Sequence, residues 1–443
     1  MWHETLYEVL NIINNVILTM IGIPFMLQLI YMLFFWVKKK TWPKSEKKGK
    51  VAFLIPAHNE ADVIYDTVKE IYDRQEYPKE LMDVYVVCHN CTDNTAELVK
   101  KAGGIPIVYN NDNPKEKLLA YCLNHGFDYL LKNDKDYDFY IRIDADNHLN
   151  KEFTSLMNDA YQSGVEYARP YESAINMTQN RYTKACGLYY IFDSRFGSRV
   201  RERLHIGAHV NGPGTMLSKA LMQRIGGYNC HTISDDAEFC FNRMNEKVFG
   251  HYVEDAVVYE DLPSSFKDTY ARNIRIGSGS RKLIFGPLGK LFFKFFYTFK
   301  FSYLEMFLTY FFNIICVLLC TWLPAFYIYD ITYLALAGTG VIETIAGAAN
   351  YRNIMINTLI IIGVALGVLF LFCGILQGVI LVCLDYKKMG AKRRRDLLDG
   401  AFLFPAFTVV YCLTICLGML SKPKWIKVNR NKQASNDISE VDG

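Results

Sequence analysis

The stretch Phe139-Tyr-Ile-Arg-Ile-Asp144-Ala-Asp146-Asn-His-Leu149 decides the fold. Apart from Arg142, its first five residues are aromatic or β-branched and read as a short buried strand. The strand empties into two carboxylates separated by one residue. Hard oxygen ligands placed there suit a divalent cation that must also hold phosphate oxygens. In an open α/β sheet, ligands collect beyond the carboxyl ends of the strands. A lone D-x-D also occurs in solvated turns, so the flanking chain has to carry the stronger reading.

Upstream, Val51-Ala-Phe-Leu-Ile55 is a second buried strand, and the loop Pro56-Ala-His-Asn-Glu60 follows it. Val63, Ile64, Val68 and Ile71 have helical spacing. Asp83–Cys88 and Ile105–Tyr109 are further strands, with helices over Asn94–Lys101 and Glu116–Leu131. Strands alternating with helices at this spacing predict an α/β fold with a mostly parallel sheet. Polar residues at three strand ends (Asn59 with Glu60, Asp93, Asp144 with Asp146) then meet along one edge. Neither a P-loop sequence nor G-x-G-x-x-G is present, which weighs against a P-loop ATPase and a nicotinamide enzyme.

The chain has 443 residues and is 51% hydrophobic, but the apolar residues are segregated. A mixed, charged block runs from about Lys44 to Lys282 between two apolar blocks. The net charge of +4 is modest, and the basic residues cluster at the edges of the apolar blocks. That pattern favours a membrane surface over nucleic acid as partner. The twelve cysteines are scattered. Cys88-His-Asn-Cys91 has C-x-x-C spacing without a second pair, so neither a cysteine-held metal nor a disulfide framework is expected.

Asn11–Trp36 is long enough to cross a hydrocarbon core of ~30 Å, and Lys38, Lys39 and Lys40 follow it on the cytoplasmic side. The chain therefore divides into an anchor (1–40), a cytosolic α/β domain (50–285), an amphipathic interfacial helix (286–301), a membrane region (302–425) and a basic tail (426–443). The apolar runs Tyr303–Tyr329, Ile354–Leu384 and Ala401–Leu420 are the expected crossings, with Ile331–Ala349 as a weaker one.

Past the D-x-D, Asn180–Leu204 reads as a helix ending in Arg195, Arg199, Arg201 and Arg203. That stripe faces solvent, membrane or an acidic ligand. Asn211-Gly212-Pro-Gly214-Thr is a tight loop needing unusual backbone angles. Thr232-Ile-Ser-Asp235-Asp236-Ala-Glu238 places acids where a helix begins, which the helix dipole alone would favour. Arg272-Asn-Ile-Arg275-Ile-Gly is a basic segment able to embrace phosphate.

In this order, the motifs IPAHNE, CTDNT, PKEKLLAYCLN, DAD, NGPGTMLSK and SDDAE resemble the membrane-embedded family 2 glycosyltransferases. The likeness is nearest to bacterial poly-β-1,6-N-acetylglucosamine synthases, relatives of hyaluronan, chitin and cellulose synthases. The resemblance implies a GT-A fold, a UDP-sugar donor and Mg²⁺ or Mn²⁺. It implies a polysaccharide or lipid-linked acceptor at the cytoplasmic membrane, with membrane lipids as further partners and an accessory membrane subunit left open. By the same resemblance, Pro56, Glu60, Asp93, Lys117 and Asp144 bind the nucleotide sugar, and Asp146 with Asp144 holds the metal. Asp236, with Asp235 beside it, supplies the general base. Asn211, Gly212, Gly214, Arg272 and Arg275 lie on the acceptor and diphosphate side. The family's Q-x-x-R-W falls on Arg272-Asn-Ile-Arg275-Ile276, which keeps the arginine but loses the acceptor-seating tryptophan. Readings from other classes are a transporter with a nucleotide-sugar sensor and a degenerate partner subunit.

Overall fold

The computed structural model describes residues 2–338 except 35, 114, 115, 134 and 135, scattered positions between 356 and 367, and residues 369–421. The polar tail, Lys422-Pro-Lys-Trp425, and much of the apolar runs from 339 to 368 lie outside them.

Strands form where the apolar runs stand: β1 (Val51–Ala57), β2 (Met82–His89), β3 (Ile105–Tyr109) and β4 (Phe139–Arg142). In β1, Val51, Phe53 and Ile55 enter one core while Ala52 and Leu54 enter another. A strand buried on both faces belongs inside a layered sheet, and β1 pairs in parallel with β2 and β4. Helices α1 (Trp2–Leu33), α2 (Ile64–Arg74), α3 (Thr95–Lys101) and α4 (Leu119–Lys132) complete this half.

The second half adds β5 (His148–Leu149), α5 (Phe153–Gln162), β6 (Tyr167–Ala174) and α6 (Arg181–Phe192). A π-helical turn over Asp193–Ser198 leads into α7 (Arg199–Arg203). Then come β7 (Thr215–Ser218), α8 (Lys219–Ile225), α9 (Asp235–Asn245), β8 (His251–Glu260) and α10 (Phe266–Leu283). The sheet has eight strands in the order β3-β2-β1-β4-β7-β6-β8-β5.

The sheet is mixed but mostly parallel, as the sequence predicts: six strands share one direction, and β7 and β5 run against them. β7 runs back along β4, and β6 and β5 also make antiparallel pairs. This reversal is what assembles the site. Arg142, the last residue of β4, pairs with Thr215, the first of β7, so the Asn211–Gly214 loop enters at the edge where β1, β2 and β4 end. β6 opposes β7, and its end at Ala174 lies beside Glu260 of β8. Six chain segments thus open on one rim.

Three of the arginines at the end of the 180–204 helix turn inward, while Arg203 stays exposed. Arg195 pairs with Asp385 at 2.8 Å, Arg199 with Glu254, and Arg201 with Glu305 at 2.9 Å. Beyond α10 lie α11 (Gly289–Thr298) and α12 (Phe301–Gly338), and α1 packs on α12. Among the described residues one helix, Arg394–Leu420, is long and apolar enough to cross a membrane. It packs on α6 and α10. Where it crosses α10, the two backbones touch through Gly277 and Gly418: a Cβ on Gly277 would lie 1.9 Å from the Ile415 carbonyl oxygen. Only glycine allows that approach.

Candidate active site

The first wall of the rim is a clasp between the β1 and β2 loops. Asn59 adopts φ +57°, a left-handed conformation asparagine tolerates, and its Oδ1 accepts Thr92 N–H at 2.7 Å. Asp93 accepts Thr95 N–H at 3.1 Å and Ala61 N–H at 3.2 Å, while Thr95 Oγ1 accepts Glu60 N–H at 3.0 Å. Burial works against the Asp93 charge, but these donors outweigh it and hold the carboxyl below its usual range. Glu60 and Asp93, far apart in sequence, are thereby fixed side by side. Pro56 is buried within β1 itself, and Lys117 is exposed, its charge acting on His89.

The second wall is built on Arg142, buried at the end of β4. Its Nη1 meets Asp235 Oδ2 at 3.0 Å, and Tyr228 donates its hydroxyl to the same oxygen at 3.0 Å. Arg142 Nη2 lies 3.9 Å from Asp144. Gly212, at φ +93°, leaves the room: a Cβ there would sit 2.8 Å from Arg142 Nη1.

The acids at the start of α9 therefore have different fates. Asp235 is the counter-ion of Arg142. Glu238 ties down the preceding loop by accepting the N–H groups of His231 (2.9 Å) and Thr232 (2.8 Å). Asp236 accepts only the adjacent Ala237 N–H at 2.7 Å among the described residues. Burial, with the charge of Asp235 next to it, pushes the Asp236 carboxyl up to about 6.

The third wall carries a surplus of carboxylates. Burial pushes Glu260 up to about 8; Arg272, 3.3 Å away, opposes this while Glu172, Asp144 and Asp146 reinforce it. Arg275 stands one helical turn from Arg272 and makes no ion pair among the described residues. Burial, then Arg272, pulls its pKa down, against the charges of Asp144 and Asp235. The donor set fits a divalent cation: hard oxygens, crowded enough for Asp144 and Asp146 to act together on Glu260. Among the described residues no group of three His, Cys, Asp or Glu side chains holds an ion by itself. An ion there would need further ligands from outside these side chains.

Arg142, Glu172, Tyr228 and Glu260 belong to the rim but are not among the residues picked out from the sequence. For Glu260 a signal exists, an acid closing the apolar run Ala256–Tyr259 much as Asp144 closes its own. The others show themselves only through partners distant in sequence.

Comparison with known proteins places this rim in a family. Residues 52–226 match glycosyl transferase family 2, and residues 141–346 match glycosyl transferase family group 2. Residues 52–226 thus carry a family 2 glycosyltransferase domain. It is 24% identical over 261 residues to the probable glycosyltransferase YdaM of Bacillus subtilis, covering 57% of this chain and 60% of that relative's length. Its fold is shared with the mannosyltransferase PcManGT from Pyrobaculum calidifontis, solved in complex with GDP-Man and Mn²⁺. That match has a TM-score of 0.51 at 16% identity and covers 88% of this chain and 98% of the other.

Proposed function

We propose that this protein is an inverting, metal-dependent glycosyltransferase. It takes a sugar from a nucleotide sugar, UDP-N-acetylglucosamine by resemblance, and extends a β-linked cell-surface polysaccharide at the cytoplasmic membrane. The observation that carries the reading is Asp236, poised near neutrality on the rim that also carries the D-x-D, while Asp235 is committed to Arg142.

In this reading Glu60, Asp93 and Lys117 receive the nucleoside on the β1–β2 clasp. Asp146 and Asp144 would hold Mg²⁺ or Mn²⁺, which when bound supplies charge neutralisation for the departing diphosphate. Arg275, with Arg272 behind it, adds fixed positive charge on the same side. An acceptor hydroxyl is a poor nucleophile near neutral pH. Asp236 takes its proton while the oxygen bonds to the anomeric carbon and the carbon–diphosphate bond breaks. Attack opposite the leaving group converts an α-linked donor into a β-linked product.

Membrane association is supported by the aromatic face of α11 and its flanks, where Phe285 and Tyr297 are 86% and 84% exposed. The amphipathic helix, the anchor and the spans are part of the proposal. A second reading, transfer of one sugar to a lipid-linked acceptor, is favoured by Arg275, a part-buried cation suited to a phosphate.

The test is a screen of UDP-sugars and GDP-mannose for metal-dependent release of nucleoside diphosphate, followed by sizing of the product. A ladder of chains supports the polymer reading and a single addition the second. No release from any donor with Mn²⁺ present would sink both.

A further inference from the structure

A second cluster of sequestered charge lies behind the rim, where the sheet domain meets α1 and α12, and the chemistry above does not use it. Arg201 of α7 donates from Nε to Glu305 of α12 at 2.9 Å, the two side chains being 1% and 0% exposed. Thr309, one turn along α12, gives its hydroxyl to Glu305 at 3.0 Å and accepts Arg201 Nη2 at 3.1 Å. The Tyr31 ring of α1 lies 5.7 Å from the Arg201 guanidinium carbon.

From Arg201 the contacts lead back to the rim. Arg201 Nη1 lies 3.1 Å from His209 Nδ1, and His209 Nε2 faces Asp193 Oδ2 at 3.0 Å. Arg169 donates to Asp193 at 2.6 Å and to Glu172 at 2.8 Å. Glu172 Oε2 accepts the Asn211 amide at 3.1 Å. Asn211 opens the loop whose Gly212 leans on Arg142, the partner of Asp235.

Two local features of the chain make this series possible. The π-helical turn over Asp193–Ser198 breaks the α-helical spacing between α6 and α7 and turns Asp193 and Arg201 toward each other, 3.6 Å apart. Gly197 keeps the space between them open, since a Cβ would lie 2.7 Å from Arg201 Nη1 and 2.9 Å from Asp193 Oδ1. Apolar side chains of equal volume would stabilise such an interior at least as well. What charges add is a fixed register between the parts they join.

We propose that Glu305 of α12 is a positioning residue for the Asn211–Gly214 loop, acting through Arg201, His209, Asp193, Arg169 and Glu172. Its effect on turnover rests on the glycosyltransferase reading of the rim; its effect on the loop does not. The helix that leads away from the catalytic domain thereby sets the placement of the acceptor-side wall.

The test is hydrogen–deuterium exchange on the full chain in detergent micelles. In Glu305→Gln, which keeps the shape and loses the charge, peptides over Asn211–Thr215 should exchange about tenfold faster while β1 is unchanged. Thr309→Val, which removes only the bridging hydroxyl, should give about threefold and serves if Glu305→Gln fails to fold. With UDP-N-acetylglucosamine as donor, Glu305→Gln and Glu172→Gln should each lower kcat about tenfold, leave donor KM within about twofold, and combine to no more than either alone. Unchanged loop exchange in the folded variants overturns the proposal, and so does a double variant whose losses multiply. A loop that loosens in a wild-type background inactive on every donor supports the coupling and removes the glycosyltransferase reading.

Discussion

At the scale of single residues, Asp235 and Asp236 show how adjacent identical side chains acquire different chemistry. Asp235 is neutralised by Arg142 and Tyr228; Asp236 has a like charge beside it and partial burial around it. Asp236→Asn is expected to lower kcat by about 10²–10⁴ with donor KM little changed, read by steady-state nucleotide release. Asp235→Asn leaves Arg142 buried without its counter-ion and should cost about 3–5 kcal/mol, visible as a lower Tm. The raised Asp236 carboxyl also sets a pH dependence. Its folded value of about 6 lies above the free value of 3.8, so folding favours the protonated form. The stability from this group is full below the free value and lost as pH rises through about 6, on the order of 3 kcal/mol. Activity has the opposite slope, because a base must be ionised. The expected kcat/KM profile climbs through pH 6 and levels above 7, and a flat profile from pH 5 to 8 would remove Asp236 from the proton transfer. The motif pointed to the acidic pair in the sequence. Which acid is free to act was not legible, because the partner that decides it, Arg142, lies on a distant strand.

At the scale of elements, what could be read were the strands whose residues carry their own signal. β1 to β4 are apolar runs ending in polar loops, and they form where the runs stand. β7 has four residues, Thr215–Ser218, too few to show a period or a direction. Its antiparallel return along β4 is therefore missing from the sequence reading, although it brings the Asn211–Gly214 loop to the rim. The inward arginines of the π-helical turn and α7 are hidden for a similar reason: Glu254, Glu305 and Asp385 come from elements far along the chain. The docking of Leu398–Leu420 on α10 is likewise a property of two helices, legible only as glycines in each. Gly277→Leu puts a side chain into the Ile415 carbonyl, and overpacking of this kind costs about 1–3 kcal/mol. The expected result is faster trypsin cleavage in the exposed Lys392–Arg395 segment, with the sheet domain intact. Equal cleavage in wild type and variant would mean that this contact does not hold the helix in place.

At the scale of the whole molecule, the same chain needs a polar cleft and an apolar surround, and the transition between them is α11. Leu291 is buried against the domain, while Phe293, Phe296, Tyr297 and Phe299 point outward. Lys294 is held inside by the Asn245 carbonyl and the Tyr303 ring, whereas Lys290 and Lys300 stay exposed. Water gains nothing from four exposed aromatic rings, but a lipid interface buries them and pairs the lysines with anionic headgroups. Further surface of this kind runs along α1, where Ile12, Val16, Ile23 and Met26 are exposed. If α11 is an interfacial helix, replacing Phe293, Phe296 and Tyr297 by serine removes the buried area of three rings, at about 1.5–3 kcal/mol per fully buried side chain. Vesicle co-sedimentation at low detergent should then weaken by at least about tenfold for the variant, and by less when the vesicles lack anionic lipid. Alkaline carbonate washing separates surface binding from spanning. Wild type that stays with the membrane pellet, together with a triple variant that also stays, places α11 as an adjunct to spanning helices. Release of both into the supernatant would mean that no helix of this chain crosses the bilayer, and the proposed anchor and spans would fall with it.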